Sequence, residues 1–388
     1  DTSMNNFIYE NKTKVFFGKD SVKNHLSALL DNYGNTVMLA YGGGSIKRNG
    51  IYDEILHILK TQNKHVVEFS GIMPNPTYTK VLEGAKLAKD NNVDLILAVG
   101  GGSVSDCCKV VSAQAKLDED IWEMEHTTDK LPSQFIPLGT IVTVFGTGSE
   151  MNNGAVITHE EKKLKGAVWG AQADFAFLDP SYSMSVPMKQ VMSGAFDTLS
   201  HAMETYFGKP DENNLSDDIN EAIMRGIIQN IRTLLKDPDN YSARSELAWA
   251  SSIAENGILK IGKITDFQCH MIEHQLGAYT NCNHGAGLAV IHPVLYRHIY
   301  TSNAQRFARF AENVWGIATK ENIEETALAG IEALASFIKE IGLPSTFGEL
   351  HISADTDFRA IADSTTLTAG CCKKLTKDNI YDILKECI

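Results

Sequence analysis

Hydrophobic and polar positions follow two different periods along this chain. Up to about Pro180, short apolar runs rich in β-branched residues alternate with segments whose apolar positions recur every three to four residues. Thr36-Val37-Met38-Leu39-Ala40 reads as a strand, and Gly42-Gly43-Gly44-Ser45 follows it closely. Residues 52–61 then read as an amphipathic helix, 65–69 as a strand and 78–91 as a helix. Leu95-Ile96-Leu97-Ala98-Val99 is the clearest buried strand; Gly100-Gly101-Gly102-Ser103 closes it, with a helix expected from about Ser105. Strands alternating with helices of this length predict a parallel α/β sheet. Beyond Pro180 helical periodicity takes over, over 189–207, 220–235, 243–259, 266–279 and further segments to Ile388. The predicted organisation is an α/β domain over 4–183 and an all-helical domain over 184–388.

Composition narrows the function classes. A chain of 388 residues with 43% hydrophobic and 21% charged positions has the material for two cored domains. The net charge of -13, with no basic run, argues against nucleic acid and anionic membrane as partners. No stretch is long and apolar enough to span a bilayer. Seven cysteines without a paired framework, among them the vicinal Cys107-Cys108 and Cys371-Cys372, suit a reducing compartment, so a cytoplasmic protein is expected. Asp1-Thr2-Ser3-Met4 does not read as a signal peptide; it reads as an expression scar ahead of a native Met4.

Three glycine loops suggest a nucleotide. Gly101, Gly102 and Ser103 stand where a strand feeds a helix, where bare backbone lets a phosphate approach N–H donors. Neither the spaced dinucleotide fingerprint nor a P-loop lysine is present, and a plain strand–helix turn explains one such loop equally well. Phe145-Gly146-Thr147-Gly148-Ser149-Glu150 is the third loop, and the nearby hydroxyls of Thr140 and Thr143 suit a pyrophosphate or ribose. At the end of the second strand an acid usually holds the adenosine ribose and repels an added phosphate. Here Gly42, Gly43, Gly44 and Ser45 offer no acid, and Lys47 and Arg48 follow, which is permissive for NADP(H).

The stretch from Asp197 to His284 carries metal chemistry. Asp197 and His201 are four apart in a helical pattern, so both project from one face; His270 and His274 repeat that spacing, and His284-Gly285 follows. Any one of these histidines is readily explained as a core or surface residue. A carboxylate with several imidazoles is, as a set, a site for iron, zinc or a similar ion. Spacing leaves open whether His270, His274 or both face it.

In order, Gly100-Gly101-Gly102-Ser103 with Asp106, Gly146-Thr147-Gly148-Ser149-Glu150, Leu178-Asp179-Pro180, Asp197 with His201, and His270 with His274 to His284-Gly285 resemble the iron-containing (group III) alcohol dehydrogenases. The resemblance runs from Phe7 to the C-terminus. Tyr41-Gly42-Gly43-Gly44-Ser45-Ile46-Lys47 and Trp249-Ala250-Ser251-Ser252 are most similar to the butanol dehydrogenase and broad aldehyde reductase branch. The resemblance implies an N-terminal dinucleotide-binding domain, an all-α C-terminal domain in a dehydroquinate synthase-like architecture, and a homodimer. It implies Asp197, His201, His270 and His284 as ligands of Fe²⁺ or Zn²⁺, with His274 lining the site. It implies nucleotide contacts at Gly44, Ser45, Asn75, Gly101, Gly102, Ser103, Asp106, Thr143, Thr147 and Lys163, to which Gly42, Gly43, Thr140 and Leu178 are added. Lys163 is placed by counting back from Leu178, which leaves Lys162 and Lys165 open. Val144-Phe145 departs from the Thr-Ala that many members carry before the glycine.

The expected activity is reversible hydride transfer between NAD(P)H and a short-chain primary alcohol or aldehyde, with butanol/butanal as substrate and NADP(H) preferred. His274 is the candidate for positioning substrate or relaying the proton. A dehydroquinate synthase-like, metal- and NAD-dependent lyase is the alternative, although 197–284 offers few cations for a polyanion. A nucleotide-binding sensor without turnover is a third reading, against which the complete ligand set argues.

Overall fold

A computed structural model describes residues 2–388; Asp1, the first residue of the expected scar, lies outside them. The chain forms two units, one spanning Asn11–Val186 and the other combining the residues up to Glu10 with Pro187–Ile388. The segment before Asn11 therefore groups with the helices rather than with the α/β unit. There the Asn5 N–H donates to the Gly262 carbonyl (3.0 Å) and the Asn214 amide to the Ser3 carbonyl (2.9 Å).

The α/β unit runs β1 (Lys14–Phe17), α1 (Ser21–Leu30), β2 (Thr36–Tyr41), α2 (Ser45–Arg48), α3 (Ile51–Thr61), β3 (His65–Phe69), α4 (Tyr78–Asp90), β4 (Leu95–Gly100), α5 (Gly102–Gln114), α6 (Ile121–Thr127), β5 (Leu138–Val142), β6 (Gly154–His159), β7 (Leu164–Trp169) and β8 (Phe175–Leu178). Six strands form a parallel sheet in the order β1-β8-β5-β4-β2-β3. The antiparallel β6–β7 hairpin interrupts the predicted alternation. β4 is enclosed because helices cover both faces of such a sheet: its Leu95, Ile96, Leu97 and Val99 are fully buried. α5 starts at Gly102, three residues before the expected Ser105, with Gly101 as its extended cap residue.

Register levels the strand ends. Tyr41 pairs with Val99, Gly100 with Val142 and Val142 with Leu178. The segments after β2, β4 and β5 therefore leave one edge side by side. The chain proceeds from β2 outward to β3 and, on the other side, through β4 and β5, so the strand order reverses between β2 and β4. Open α/β sheets bind ligands at such a switch point, beyond the carboxyl ends of the strands.

The helical unit runs α7 (Met188–Tyr206), α8 (Leu215–Lys236), α9 (Tyr241–Glu255), α10 (Gln268–Thr280), α11 (His284–Ile299), α12 (Ala304–Asn313), α13 (Ile323–Glu340), α14 (Phe358–Ser364) and α15 (Lys377–Glu386). α8 begins five residues ahead of the predicted 220 because Asn214 and Asp217 form a reciprocal capping box. The predicted helix over 243–259 ends at Glu255; Gly257 takes a left-handed φ of 94° and a short 3₁₀ turn follows. Phe207 stacks on Phe307 at 4.1 Å, and with Phe196, Tyr206, Phe310 and Phe337 it fills a core that holds the helices in fixed register. An ion cluster lies inside the same unit: Asp217 pairs with Lys263 and with Arg306 Nη1 (2.9 Å), all three side chains buried.

Candidate metal centre and nucleotide loops

α7 presents Asp197 and His201 one turn apart, and α10 and the first residue of α11 bring His270 and His284 to them. The Nε2 atoms of His201, His270 and His284 lie 3.5, 3.4 and 3.1 Å from one oxygen, Asp197 Oδ1. Asp197, His201 and His270 are buried, and their donor atoms lie within 4.8 Å of one another. His284 is the most open, with 26% of its side chain exposed. Asp197 Oδ1 and His270 Nε2 are buried and make no hydrogen bond among the described residues, which is costly for polar atoms without a ligand. Donors around a tetrahedral ion at about 2.1 Å stand about 3.4 Å apart, so these separations fit a divalent metal. Burial raises the Asp197 carboxyl, but the His201 and His284 rings, with His270, override it and hold it well below the ordinary carboxylate range. Burial lowers His270, but Glu204 and Asp197 more than offset this and push it up to about 10. Burial outweighs Asp197 and Glu255 at His201, whose pKa is lowered.

His274 lies one turn further along α10, buried, with its ring 5.9 Å from that of His270 and 6.0 Å from that of His284. It borders the cluster rather than joining the group of three. Phe267, at the N-terminal end of α10, is a bulky residue with φ of 55°, and its ring lies 5.0 Å from His270 and 6.0 Å from His201. Three acids escaped the sequence reading. Glu204 contacts His270 Nδ1, Glu273 lies 2.7 Å from His284 Nδ1, and Glu255 faces His201 Nδ1 at 3.8 Å. The available signal was position: Glu204 stands three residues after His201 and seven after Asp197, on the same helix face.

The structure gathers most of the predicted nucleotide residues at the strand ends. Gly42, Gly43, Gly44 and Ser45 follow β2, with Gly44 at a φ of 117° that disfavours any side chain. Gly101, Gly102 and Ser103 follow β4, and a Cβ on Gly102 would lie 2.4 Å from Thr147 Oγ1. Thr143 donates its N–H to the Gly100 carbonyl (3.0 Å). Asp106 ties the loops together, accepting from Ser149 Oγ (2.5 Å) and from the Val156 N–H (3.0 Å). Three positions differ from the expectation. Lys163 is exposed in the β6–β7 turn, whereas Lys165, buried, reaches Asn75 Oδ1 at 2.9 Å, because its cross-strand partner Thr158 bridges to Thr77 and brings the segment carrying Asn75 against it. Lys162 pairs with Glu123 instead (2.6 Å). The side chains of Thr140 and Leu178 are fully buried within β5 and β8. Lys47 lies over the rings of Tyr52 (4.8 Å) and Tyr41 (5.4 Å).

Known proteins match both halves. The model "Iron-containing alcohol dehydrogenase" matches residues 12–180, and "Fe-containing alcohol dehydrogenase family, C-terminal" matches 191–388. NADH-dependent butanol dehydrogenase A of Clostridium acetobutylicum is 38% identical over 385 residues, 98% of each chain. NADPH-dependent aldehyde reductase YqhD of Escherichia coli is 35% identical, covering 91% of each chain. The crystal structure of NADH-dependent butanol dehydrogenase A from Thermotoga maritima superposes with a TM-score of 0.94 at 34% identity, covering all of both chains. With both halves matched and this level of identity sustained along nearly its whole length, the chain belongs to the iron-containing alcohol dehydrogenase family.

Proposed function

We propose that this oxidoreductase interconverts short-chain primary alcohols and aldehydes, butanol/butanal among them, using NADP(H) in preference to NAD(H) and one Fe²⁺ or Zn²⁺. The observation that carries the proposal is the convergence of three imidazole nitrogens on Asp197 Oδ1 at 3.1–3.5 Å in a buried setting. When bound there, a divalent cation supplies Lewis-acid stabilisation of a developing alkoxide, and a nicotinamide supplies or accepts the hydride. Asp197, His201, His270 and His284 hold the cation. Burial of the first three keeps water from competing and strengthens every charge interaction among them. Phe267 offers an apolar ring beside His201 and His270, and His274 is assigned to orient the substrate or pass its proton.

The nucleotide is assigned to Gly42, Gly43, Gly44 and Ser45, Gly101, Gly102 and Ser103, Thr143 and Thr147, with Asn75 and Lys165 to one side and Asp106 bracing the loops. Support for NADP(H) comes from the loop after β2. It carries no carboxylate, and the guanidinium of Arg48, which pairs with no acid among the described residues, reaches within 3.8 Å of where a Gly44 Cβ would be. All seven cysteines are free, which supports a cytoplasmic setting, and the exposed Phe7, Ile8, Tyr9 and Phe17 support assembly as a homodimer. No described helix is long and apolar enough to cross a membrane.

The test is the initial rate of NADPH and of NADH oxidation with butanal, on protein stripped of metal and then given Fe²⁺ or Zn²⁺. Metal-dependent turnover, faster with NADPH, is expected. Faster turnover with NADH overturns the cofactor preference alone. Absence of turnover with bound metal and nucleotide overturns the activity.

A further inference from the structure

Each ring that turns its Nε2 toward Asp197 turns its Nδ1 toward a buried glutamate on a different helix. His201 of α7 faces Glu255 of α9. His270 of α10 contacts Glu204 of α7, and His284 of α11 contacts Glu273 of α10. The acids thus hand the imidazoles from one helix to the next. Glu204 and Glu273 are fully enclosed. Enclosing a carboxylate costs several kcal/mol unless charge or hydrogen bonds offset it, and Glu204 has no lysine or arginine partner among the described residues.

Resting on the metal reading above, we infer that Glu204 and Glu273 are positioning residues of the metal centre, which fix the tautomer and rotation of His270 and His284 and set the charge the ion meets. An ionised carboxylate only accepts, so the proton of each facing ring is held on Nδ1. Once the ring gives up its other proton to a cation, the lone pair is on Nε2, the atom that faces Asp197, and the carboxylate makes it a stronger donor. Glu204 has a second duty. The N–H groups of Cys269 (2.8 Å) and His270 (2.9 Å) also donate to its carboxylate, so a side chain of α7 caps α10, whose own cap residue Phe267 provides no side-chain acceptor. One carboxylate thereby fixes both where α10 begins and which way its ligand points. Glu273 stands within α10 and reaches the first residue of α11 through His284 Nδ1 (2.7 Å).

The test is a titration of metal-free, full-length protein with Co²⁺, read by its visible absorption and by calorimetry, for the parent, Glu273→Gln, Glu204→Gln and Asp197→Ala. Glutamine keeps the size and one acceptor oxygen but removes the charge; at Glu204, whose two oxygens both accept from the start of α10, its amide nitrogen cannot accept, so part of the cap is lost along with the charge. The parent is expected to bind one Co²⁺ per chain and Asp197→Ala none. Both glutamine variants are expected to bind about 10–100-fold more weakly, with a changed absorption spectrum, while the metal-free unfolding midpoint of Glu273→Gln is no lower than the parent's. Parent-like affinity and spectrum in both variants would overturn the inference and leave the acids a packing role. A parent that takes up no Co²⁺, or an Asp197→Ala variant that binds as tightly, overturns the metal reading itself.

Discussion

Replacing Gly285 with alanine tests how closely the metal centre depends on helix docking. Gly285 follows His284 in the first turn of α11. A Cβ there would lie 2.4 Å from both the carbonyl oxygen and the hydroxyl oxygen of Ser193 on α7, and 2.9 Å from the Ser193 carbonyl carbon. The hydroxyl can turn away; the carbonyl, fixed in α7, cannot. The two helices are also joined by Ser193 Oγ donating to Asn283 Oδ1 (2.6 Å), the oxygen that caps the Ala286 N–H (3.0 Å). An ordinary carbon–oxygen contact is about 3.3 Å, so the start of α11 must retreat by roughly 1 Å. Alanine favours a helix over glycine by about 1 kcal/mol, while overpacking costs about 1–3 kcal/mol. The net stability loss is therefore small, about 0–2 kcal/mol. The metal centre is less tolerant. His284 Nε2 stands 3.1 Å from Asp197 Oδ1, and metal–ligand distances hold to about 0.2 Å, so a retreat of this size removes one ligand. Gly285→Ala is expected to keep the parent's circular dichroism and nearly its unfolding midpoint while binding Zn²⁺ at least ~10-fold more weakly. Competition against a chromophoric chelator measures the affinity. Parent-like affinity would refute the reasoning, because His284 would then be free to move without consequence.

Gly102→Ala tests the nucleotide loops: its Cβ would meet Thr147 Oγ1 at 2.4 Å, and a misplacement of this order is expected to weaken NADPH binding at least ~10-fold in a fluorescence titration, whereas unchanged affinity would remove these loops from the site. Asp217→Ala leaves Lys263 and Arg306 buried without their acid, so urea unfolding should lose about 3–5 kcal/mol; a loss under about 1 kcal/mol would contradict the buried-pair account. Burial and the neighbouring Glu204 push Asp266 from 3.8 up to about 8. The folded state therefore holds the extra proton between those two values, and this group's contribution to stability falls as pH rises from about 4 to about 8. Asp266→Asn removes that dependence, so its gain in unfolding midpoint over the parent should grow across the window and level off above it; a constant difference from pH 5 to pH 8 would refute it.

The parallel α/β unit and the helical unit were both legible in the hydrophobic pattern, because strand and helix periods are local. So was the pairing of Asp197 with His201, since one helix suffices to put residues four apart on one face. The choice between His270 and His274 was not, since that spacing is symmetric within α10. It depends on where α7 crosses: His270 Nε2 comes within 3.4 Å of Asp197 Oδ1, and His274 borders the cluster. Lys163 was chosen by counting along the chain, whereas the bridge between Thr77 and Thr158, the cross-strand partner of Lys165, brings Asn75 to Lys165.

The sequence by itself determined which chemistries were available: glycines where strands end, and a carboxylate and imidazoles at helical spacing. Only the tertiary structure decided which of these meet. It levelled the ends of β2, β4 and β5 so that separate loops share an edge, and it placed Glu204, Glu255 and Glu273 behind rings on other helices. The physical reason is that local periodicity fixes only the face of one element on which a side chain stands. A partner up to 66 residues away is set by the packing of whole helices against a common core.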